Sequence, residues 1–156
     1  MRSRGTLLVA VFALLVAMAS VGLWGYTWWQ SGQAVEYTAD QQAAAKHTAC
    51  AAYATVHAGV ETNTNLAAPG GNGDVTGALA AAANARVALM GGGQYLLARI
   101  DPATPAELAQ QLAEFGNALL DFGAAATAGA LNTDPPQADL LEQIDGLNNT
   151  LAEACA

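Results

Sequence analysis

Residues 104–123 read TPAELAQQLAEFGNALLDFG, and their large apolar side chains recur at alternating spacings of four and three residues. This spacing places the side chains on one face of an α-helix, where they can pack into a single groove. Thr104, Pro105 and Glu107 precede this seam as a capping box with proline at the first helical position, so a helix is predicted from here to about Ala130. The members of the seam are Leu108, Leu112, Phe115, Leu119 and Phe122.

An alanine-rich stretch from Ala34 to Asn65 contains no proline and predicts a helix closer to the N-terminus. Tyr53, Val56 and Val60 recur within it at helical spacing. A short polar joint, Gln30 to Gln33, precedes this stretch, and the helix is expected to run on from the N-terminal segment, although the sequence alone leaves that continuity open. A weaker apolar stripe extends it through Val35, Ala39 and Ala43.

Another helix is predicted from about Asp74, its N-cap, to about Ile100. Three consecutive glycines, Gly91–Gly93, interrupt this helix at a cost of roughly 3 kcal/mol relative to alanine. We therefore expect either a kink at the glycines or a neighbouring backbone that lies very close to them. One side of this helix is marked by Val75, Leu79, Ala82, Ala83 and Arg86, and then by Met90 and Leu97.

The last helix is predicted to begin at Asp134-Pro135-Pro136. Its apolar residues again alternate by four and three. The loops on either side of the helix after Pro105 are short, which favours antiparallel neighbours. Residues 31–156 are therefore predicted to form an all-α antiparallel bundle of about four helices. The apolar residues of the last helix are Leu140, Ile144, Leu147 and Leu151.

The N-terminal segment predicts a single transmembrane helix. Thr6 to Trp29 contains 24 residues without a charge, and a helix of that length spans about 36 Å, enough to cross a hydrocarbon core of about 30 Å. Arg2 and Arg4 precede it, so residues 1–30 are predicted to be a cytoplasmic N-terminus and anchor in the plasma (inner) membrane, with the bundle periplasmic or extracellular. The alternative is a signal peptide cleaved after Ala17-Met18-Ala19, which the continuing apolar run disfavours.

Two sets of residues within the anchor carry specific expectations. Aromatic side chains near its outer end predict contacts with the membrane interface, since such rings are half apolar and half polar. Small residues predict close packing against a partner helix. The membrane-interface residues are Trp24, Tyr26, Trp28 and Trp29, and the partner-helix residues are Ala10, Ala13, Ala17, Gly22 and Gly25.

Charge and cysteine content constrain the domain outside the anchor. Only Lys46, Arg86 and Arg99 are basic beyond residue 30, against all 13 acidic residues, so its net charge is near −10. This balance argues against binding nucleic acid, which requires clustered Lys and Arg. Cys50 and Cys155 are predicted to form a disulfide in an oxidising compartment. Two free thiols would be expected only if the domain faced the cytoplasm.

No catalytic, cofactor or metal site is predicted. His47 and His57 lie ten residues apart, about 80° around a helix, so they do not share a ligand. His57 and Glu61 share a helix face, but two ligands are too few for a metal site. Ser31 is the one serine beyond the anchor, and the Gly-rich loop before Asp74 lacks the Lys and Ser/Thr of a phosphate loop. The acidic residues Asp101, Glu107, Glu114 and Asp121 are expected to face solvent.

The chain resembles small alanine-rich, single-pass exported membrane proteins of mycobacteria and other actinobacteria. The resemblance rests on the Arg2/Arg4 start, the single anchor, the stretch from Asn84 to Gly92, the Thr104-Pro105 helix start and the cysteine near the end of the chain. It covers the whole chain but identifies no site residue. Among such proteins, small accessory subunits of the cytochrome bcc–aa3 respiratory supercomplex are similar in plan.

These features predict a non-catalytic accessory or scaffold subunit, anchored in the bilayer by residues 6–29. Its expected partner is an integral membrane protein complex contacted on the periplasmic side, and the resemblance points to the respiratory supercomplex. The alternative is a helical module that binds a lipid or quinone-like ligand in a groove near Gly91–Gly93. That alternative predicts a cavity lined by Leu89, Met90, Leu96 and Phe115.

Overall fold

The computed structural model describes Ala17, Met18, residues 20–22 and residues 35–156. Ala17 and residues 20–22, which include Gly22, are helical and exposed. Among the described residues, no helix combines the length and the apolar character that a membrane crossing requires. The rest of the proposed anchor lies outside the described residues. So do the packing residues Ala10, Ala13 and Gly25 and the interface residues Trp24, Tyr26, Trp28 and Trp29.

Four α-helices make up the compact unit Tyr37–Ala156. A short 3₁₀ turn, Gly71–Gly73, precedes the second of them, and no strand occurs within residues 35–156. The prediction of an all-α fold with four helices beyond the N-terminal segment is therefore confirmed. The helices are α1 (Ala39–Thr64), α2 (Val75–Leu97), α3 (Ala106–Thr127) and α4 (Pro135–Ala154).

The four helices form an antiparallel bundle that closes on itself. Each helix packs against the next along the chain. The fourth helix contacts the first through Tyr53 of α1. The Tyr53 hydroxyl shares its proton between the carbonyl oxygen (3.0 Å) and the side-chain oxygen (2.8 Å) of Asn148 in α4. Cys50 and Cys155 are joined in a disulfide with a Cα–Cα distance of 5.5 Å, as the sequence predicts. The bridge and Tyr53 together hold α4 against α1.

The start of α1 corrects the expected continuity with the N-terminal segment. Thr38 caps the helix: its hydroxyl accepts from the backbone N–H of Gln41 at 3.3 Å, and its own N–H donates to the Gln41 side chain at 2.9 Å. Residues 35–38 are not helical. The stripe expected through Val35, Ala39 and Ala43 is wrong, since all three are exposed. The chain therefore breaks helical structure before α1 begins.

Further along α1, the predicted apolar face is confirmed. Tyr53 and Val56 are 6% and 3% exposed, and Val60 is half-buried against the core. Ala45, Ala49 and Ala52 continue this face toward the N-terminal end of the helix. Alanine at these positions lets the neighbouring helices approach α1 closely.

The glycines of α2 mark a close approach between two backbones. Helix α2 runs through Gly91–Gly93 without interruption. A Cβ added at Gly93 would lie 2.6 Å from the carbonyl oxygen of Gly116 in α3, and one added at Gly123 would lie 2.7 Å from Cγ of Met90. Contacts this short are possible only without a side chain, so glycines on both helices permit the α2–α3 crossing. Of the two sequence expectations, the close neighbour is the one observed.

One end of α2 extends beyond its partner. Arg86, Met90, Gly93 and Leu97 contact α3 and recur along α2 at spacings of three and four. Arg86, the first of them, contacts Ala126, one residue before the end of α3 at Thr127. Val75 and Leu79 continue this stripe toward the start of α2, but they are 72% and 65% exposed. They are exposed because α3 ends at Thr127 and does not extend far enough to cover them. We call residues 75–85 the α2 overhang.

The core is built mainly on α3. All five members of its predicted seam are buried, with exposed fractions of 7% or less. Ile144 and Leu151 of α4 are also buried, and Leu140 and Leu147 pack at the edge of the core. The strong apolar contrast along α3 therefore predicts its buried face correctly.

The predicted capping box at the start of α3 is wrong by one position. The helix begins at Ala106, and Pro105 occupies the N-cap without a side-chain hydrogen bond. Thr104 is 5% exposed, and its hydroxyl has no hydrogen-bond partner among the described residues. Proline at the N-cap, with its extended ψ of 132°, delays the first turn by one residue and points the Thr104 side chain into the protein.

Candidate functional site

The histidine and acidic side chains of the bundle are dispersed over its surface. His47 is exposed, and His57 Nδ1 lies 3.9 Å from a carboxylate oxygen of Glu61, one turn along α1. The described residues contain no group of three His, Cys, Asp or Glu side chains arranged to hold a metal ion. The acidic residues expected to face solvent, Asp101, Glu107, Glu114 and Asp121, are all exposed. The geometry therefore offers surfaces and cavities for binding rather than a reactive cluster.

The two arginines of the bundle contact neutral groups rather than carboxylates. Arg86 donates from Nε to the carbonyl oxygen of Ala126 at 3.2 Å, so it binds the C-terminal end of α3 and not a carboxylate. The guanidinium of Arg99 stacks over the Tyr95 ring at 3.7 Å. Cations near a helix C-terminus interact favourably with its dipole, which explains the position of Arg86.

A groove lies between α1 and α4, over the core of the bundle. Its volume is about 340 Å³. The floor consists of core side chains, and the rim consists of polar side chains from both helices and from the loop before α4. We call it the α1–α4 groove. The floor residues are Leu89, Phe115, Leu119, Phe122 and Ile144; the polar rim residues are His57, Glu61, Thr64, Asn132, Asp145 and Asn148.

Tyr53 contacts three residues that line this groove. Its hydroxyl binds Asn148, a rim residue, and its ring packs edge-on against Phe115 of the floor with a centroid distance of 5.8 Å. His57 lies against the other side of the Tyr53 ring, at 5.9 Å between centroids. Burial raises the pKa of Tyr53 above that of a free tyrosine, so the hydroxyl remains a hydrogen-bond donor at neutral pH. Tyr53 therefore helps to hold His57, Phe115 and Asn148 in place from outside the groove.

The sequence predicted a cavity in a different place. Leu89 and Phe115 do line the observed groove, but Met90 and Leu96 do not. Leu96 is fully buried, and Met90 packs against Gly123. The space beside Gly93 is filled by the α3 backbone at Gly116 and by Leu120, and the space beside Gly92 is filled by Val56 of α1. The groove opens instead on the side where α4 crosses α1, a position that no sequence signal marks.

The rim of the groove carries acidic side chains and no Lys or Arg. Glu61 of α1 and Asp145 of α4 contribute carboxylates to its rim, and its lining contains no Lys or Arg. The acidic balance of the chain beyond residue 30, three basic against 13 acidic residues, adds to the same negative field. An anionic ligand would be repelled at this rim, whereas a cationic group would be attracted.

A larger depression lies at the opposite end of the bundle. Its volume is about 690 Å³, and it is lined by the first turns of α1 and by the segment between α2 and α3. The lining residues Tyr37 and Ile100 are only half-buried, and Gln41, Thr48 and Arg99 are exposed. It is a more open concavity, and its buried lining residues, Ala45 and Ala103, are small. The smaller groove is the better-formed candidate.

The α2 overhang offers a second candidate surface. Val75, Ala78 and Leu79 lie beside Ala67 and Ala68 of the preceding loop and form an apolar depression of about 450 Å³. No acidic residue occurs in α2 itself. Asp74, at the edge of the depression, caps α2: its carboxylate accepts hydrogen bonds from the N–H groups of Gly77 and Gly70, which lower its pKa. An acidic domain therefore presents one nearly uncharged apolar end.

No protein-family model matches the sequence, and neither a curated protein nor a solved structure resembles it closely enough to count as a match. The likeness to actinobacterial accessory subunits stays a prediction from the sequence.

Proposed function

We propose that this protein is a non-catalytic accessory subunit, anchored in the plasma (inner) membrane by residues 6–29, whose helical bundle docks on the extracytoplasmic side of a larger membrane protein complex. The observation that carries the proposal is the α2 overhang. Its apolar stripe belongs to the face that packs on α3, yet Val75 and Leu79 are 72% and 65% exposed. Exposed apolar clusters of this kind mark protein–protein contact sites.

The overhang has the features expected of a helix-docking site. Val75 and Leu79 continue the same spacing with which α2 packs against α3, so a partner helix can follow the track that α3 leaves at Thr127. Full burial of a valine or leucine side chain stabilises an interface by about 1.5–3 kcal/mol. Covering these two side chains would therefore contribute a few kcal/mol to docking.

The N-terminal segment supports the same proposal from the sequence side. Its 24 uncharged residues are long enough to cross a bilayer, and the disulfide is typical of a domain outside the cytoplasm. The intact mass of protein extracted from membranes tests the anchor. Retention of the N-terminal residues is expected, whereas loss of residues 1–19 would contradict anchoring.

Affinity purification from native membranes tests the docking surface. Tagged full-length protein, extracted in mild detergent, is expected to recover a stoichiometric membrane complex, and the respiratory supercomplex is the first to test. Val75→Gln should abolish recovery. Val87→Gln is the matched control, because Val87 is 70% exposed but lies outside the α3-facing stripe. Equal loss in both variants, or no stoichiometric partner with the wild-type protein, would overturn the proposal.

A second candidate function is favoured by the α1–α4 groove. We propose that the bundle binds a small ligand there, with or without the docking partner. A preformed concave site with an apolar floor and a few polar rim groups is typical of small-molecule sites. Ligand-induced thermal stabilisation of the full-length protein would test this function.

A further inference from the structure

We propose that the α1–α4 groove binds a small amphipathic amine, with its apolar body against the Phe115 and Phe122 floor and its ammonium group between the Glu61 and Asp145 carboxylates. This inference rests on the second candidate function, ligand binding in the groove. It differs from the lipid or quinone-like ligand expected from the sequence in the charge of its polar group.

The floor determines the apolar part of the ligand. Every floor residue is a large aliphatic or aromatic side chain that also belongs to the hydrophobic core. A volume of about 340 Å³ lies at the lower end of the roughly 300–1,000 Å³ range of small-molecule sites. It suits a single ring or a short alkyl chain and is too small for a diacyl lipid. It is also too small for a peptide helix, whose diameter with side chains is roughly 10 Å.

The rim of the groove determines the charged part of the ligand. Glu61 and Asp145 come from two different helices, α1 and α4, on the same groove. The described contacts include no Lys or Arg ion pair to either of them; His57, at 3.9 Å from Glu61, is the one basic neighbour in the rim. An ammonium ion placed between the two carboxylates would therefore meet two opposite charges. The phenylalanine rings below it would favour a cation further, since an aromatic face attracts positive charge.

A metal ion does not fit this rim as well as an organic cation does. The three rim residues that could act as ligands, His57, Glu61 and Asp145, do not form a metal-binding group among the described residues. A metal ion would also make no favourable contact with the apolar side chains of the floor. An amphipathic amine satisfies both halves of the groove.

Photo-crosslinking with matched probes tests the inference. Three octyl-chain probes carry a diazirine on the chain and differ only in the head group: ammonium, hydroxyl or carboxylate. Each is added to the full-length protein in a nonionic detergent, irradiated, and mapped by peptide mass spectrometry. Labelling of peptides that contain groove residues is normalised to labelling of the apolar N-terminal stretch, which corrects for partitioning into the micelle. The ammonium probe is expected to label the groove at least fivefold more than the carboxylate probe does.

Charge-matched variants test the role of the rim. Glu61→Gln/Asp145→Asn removes both rim carboxylates, and Glu114→Gln/Asp139→Asn removes two exposed carboxylates that do not line the groove. The rim variant should lower ammonium labelling about fivefold, the effect of losing two exposed ion pairs. The control variant should leave labelling unchanged. Circular dichroism of both variants confirms that the helical fold is retained.

The possible outcomes separate the inference from the functions on which it builds. Selective ammonium labelling that depends on the rim carboxylates supports the inference. Equal labelling by all three head groups overturns the amine specificity and leaves ligand binding in place. Absence of groove labelling by every probe overturns both the inference and the second candidate function. The docking proposal is tested by a different surface and is unaffected by any of these results.

Discussion

Two glycines of α2, only two residues apart, predict opposite effects of the same substitution. A Cβ added at Gly91 meets nothing within 4 Å, whereas one added at Gly93 would lie 2.6 Å from the Gly116 carbonyl oxygen and 2.8 Å from Cγ of Leu120. Gly91→Ala and Gly93→Ala therefore form a matched pair, since both add one methyl group to the same helix.

The magnitudes follow from two effects. Each substitution gains about 1 kcal/mol of helix propensity, because alanine favours the helix over glycine by that amount. Gly93→Ala also overpacks the crossing, at a typical cost of about 1–3 kcal/mol. The upper end of that range applies, since the atom in contact is a backbone oxygen and only separation of α2 from α3 relieves the overlap. Gly91→Ala should stabilise the protein by about 1 kcal/mol, and Gly93→Ala should destabilise it by about 2 kcal/mol.

Urea unfolding of the full-length variants, followed by circular dichroism, measures both changes in the free energy of unfolding. The propensity gain is common to the two variants, so the difference between them, about 3 kcal/mol, isolates the packing cost. Gly92→Ala should fall between them, because its Cβ would meet a methyl group of Val56 at 3.0 Å. If Gly93→Ala proved as stable as Gly91→Ala, the close crossing of α2 and α3 would be refuted.

Three further predictions concern the disulfide, a buried hydroxyl and a helix cap. The Cys50→Ala/Cys155→Ala variant should lower the free energy of unfolding in urea by about 4.7 kcal/mol, because the bridge spans a sequence separation of 105 residues; reduction of the wild-type protein should produce the same loss. Thr104→Val should raise stability by about 1 kcal/mol in thermal unfolding, because it removes a buried hydroxyl without a partner, and a decrease would show that the hydroxyl is bonded. Backbone hydrogen bonds lower the pKa of Asp74 in the folded protein. The ionised Asp74 side chain therefore stabilises the fold fully above the pKa of an unstructured aspartate, and this stabilisation is lost as the pH falls through the lowered pKa. Asp74→Asn should weaken the dependence of the free energy of unfolding on pH below about pH 4. The same dependence in the wild type and the variant would contradict this role.

The helices with strong apolar contrast could be predicted from the sequence. In α3, Leu and Phe alternate with Glu, Gln and Asp, so the periodicity identifies one buried face, and all five seam residues are buried there. In α2, alanine and glycine occupy most positions and the contrast is weak. The spacing places Val75 and Leu79 on the same helical stripe as Arg86 and Met90. It could not show where α3 would end, and so it could not predict their exposure.

The start of α1 was predictable from a signal that the sequence contains. Thr38 and Gln41 have the spacing of a capping box, and the structure shows both of its hydrogen bonds. The same motif at Thr104 and Glu107 does not cap α3, because Pro105 takes the N-cap position. A capping motif thus predicts a helix start to within a residue or two, while the dihedral angles of a proline inside it decide the register.

The groove could not be predicted from the sequence for a geometric reason. Its lining comes from all four helices and the loop before α4, so its existence depends on how α4 is rotated against α1. Rotation is determined by contacts such as the one between Tyr53 and Asn148, which are separated by 95 positions in the chain. Local patterns identify the polar and apolar faces, but the gap between two helices appears only in three dimensions.

The Cys50–Cys155 bridge has a mechanical consequence. It joins the first helix to the penultimate residue, so the 105-residue interval between the two cysteines is a closed ring. A tension applied between the N-terminal segment and the last residue, Ala156, passes through the sulfur atoms and bypasses that ring. About 350 Å of potential chain extension is removed from the load path, and only the first turns of α1 can unravel. A partner that pulls on the two ends of this chain would meet an almost inextensible tether.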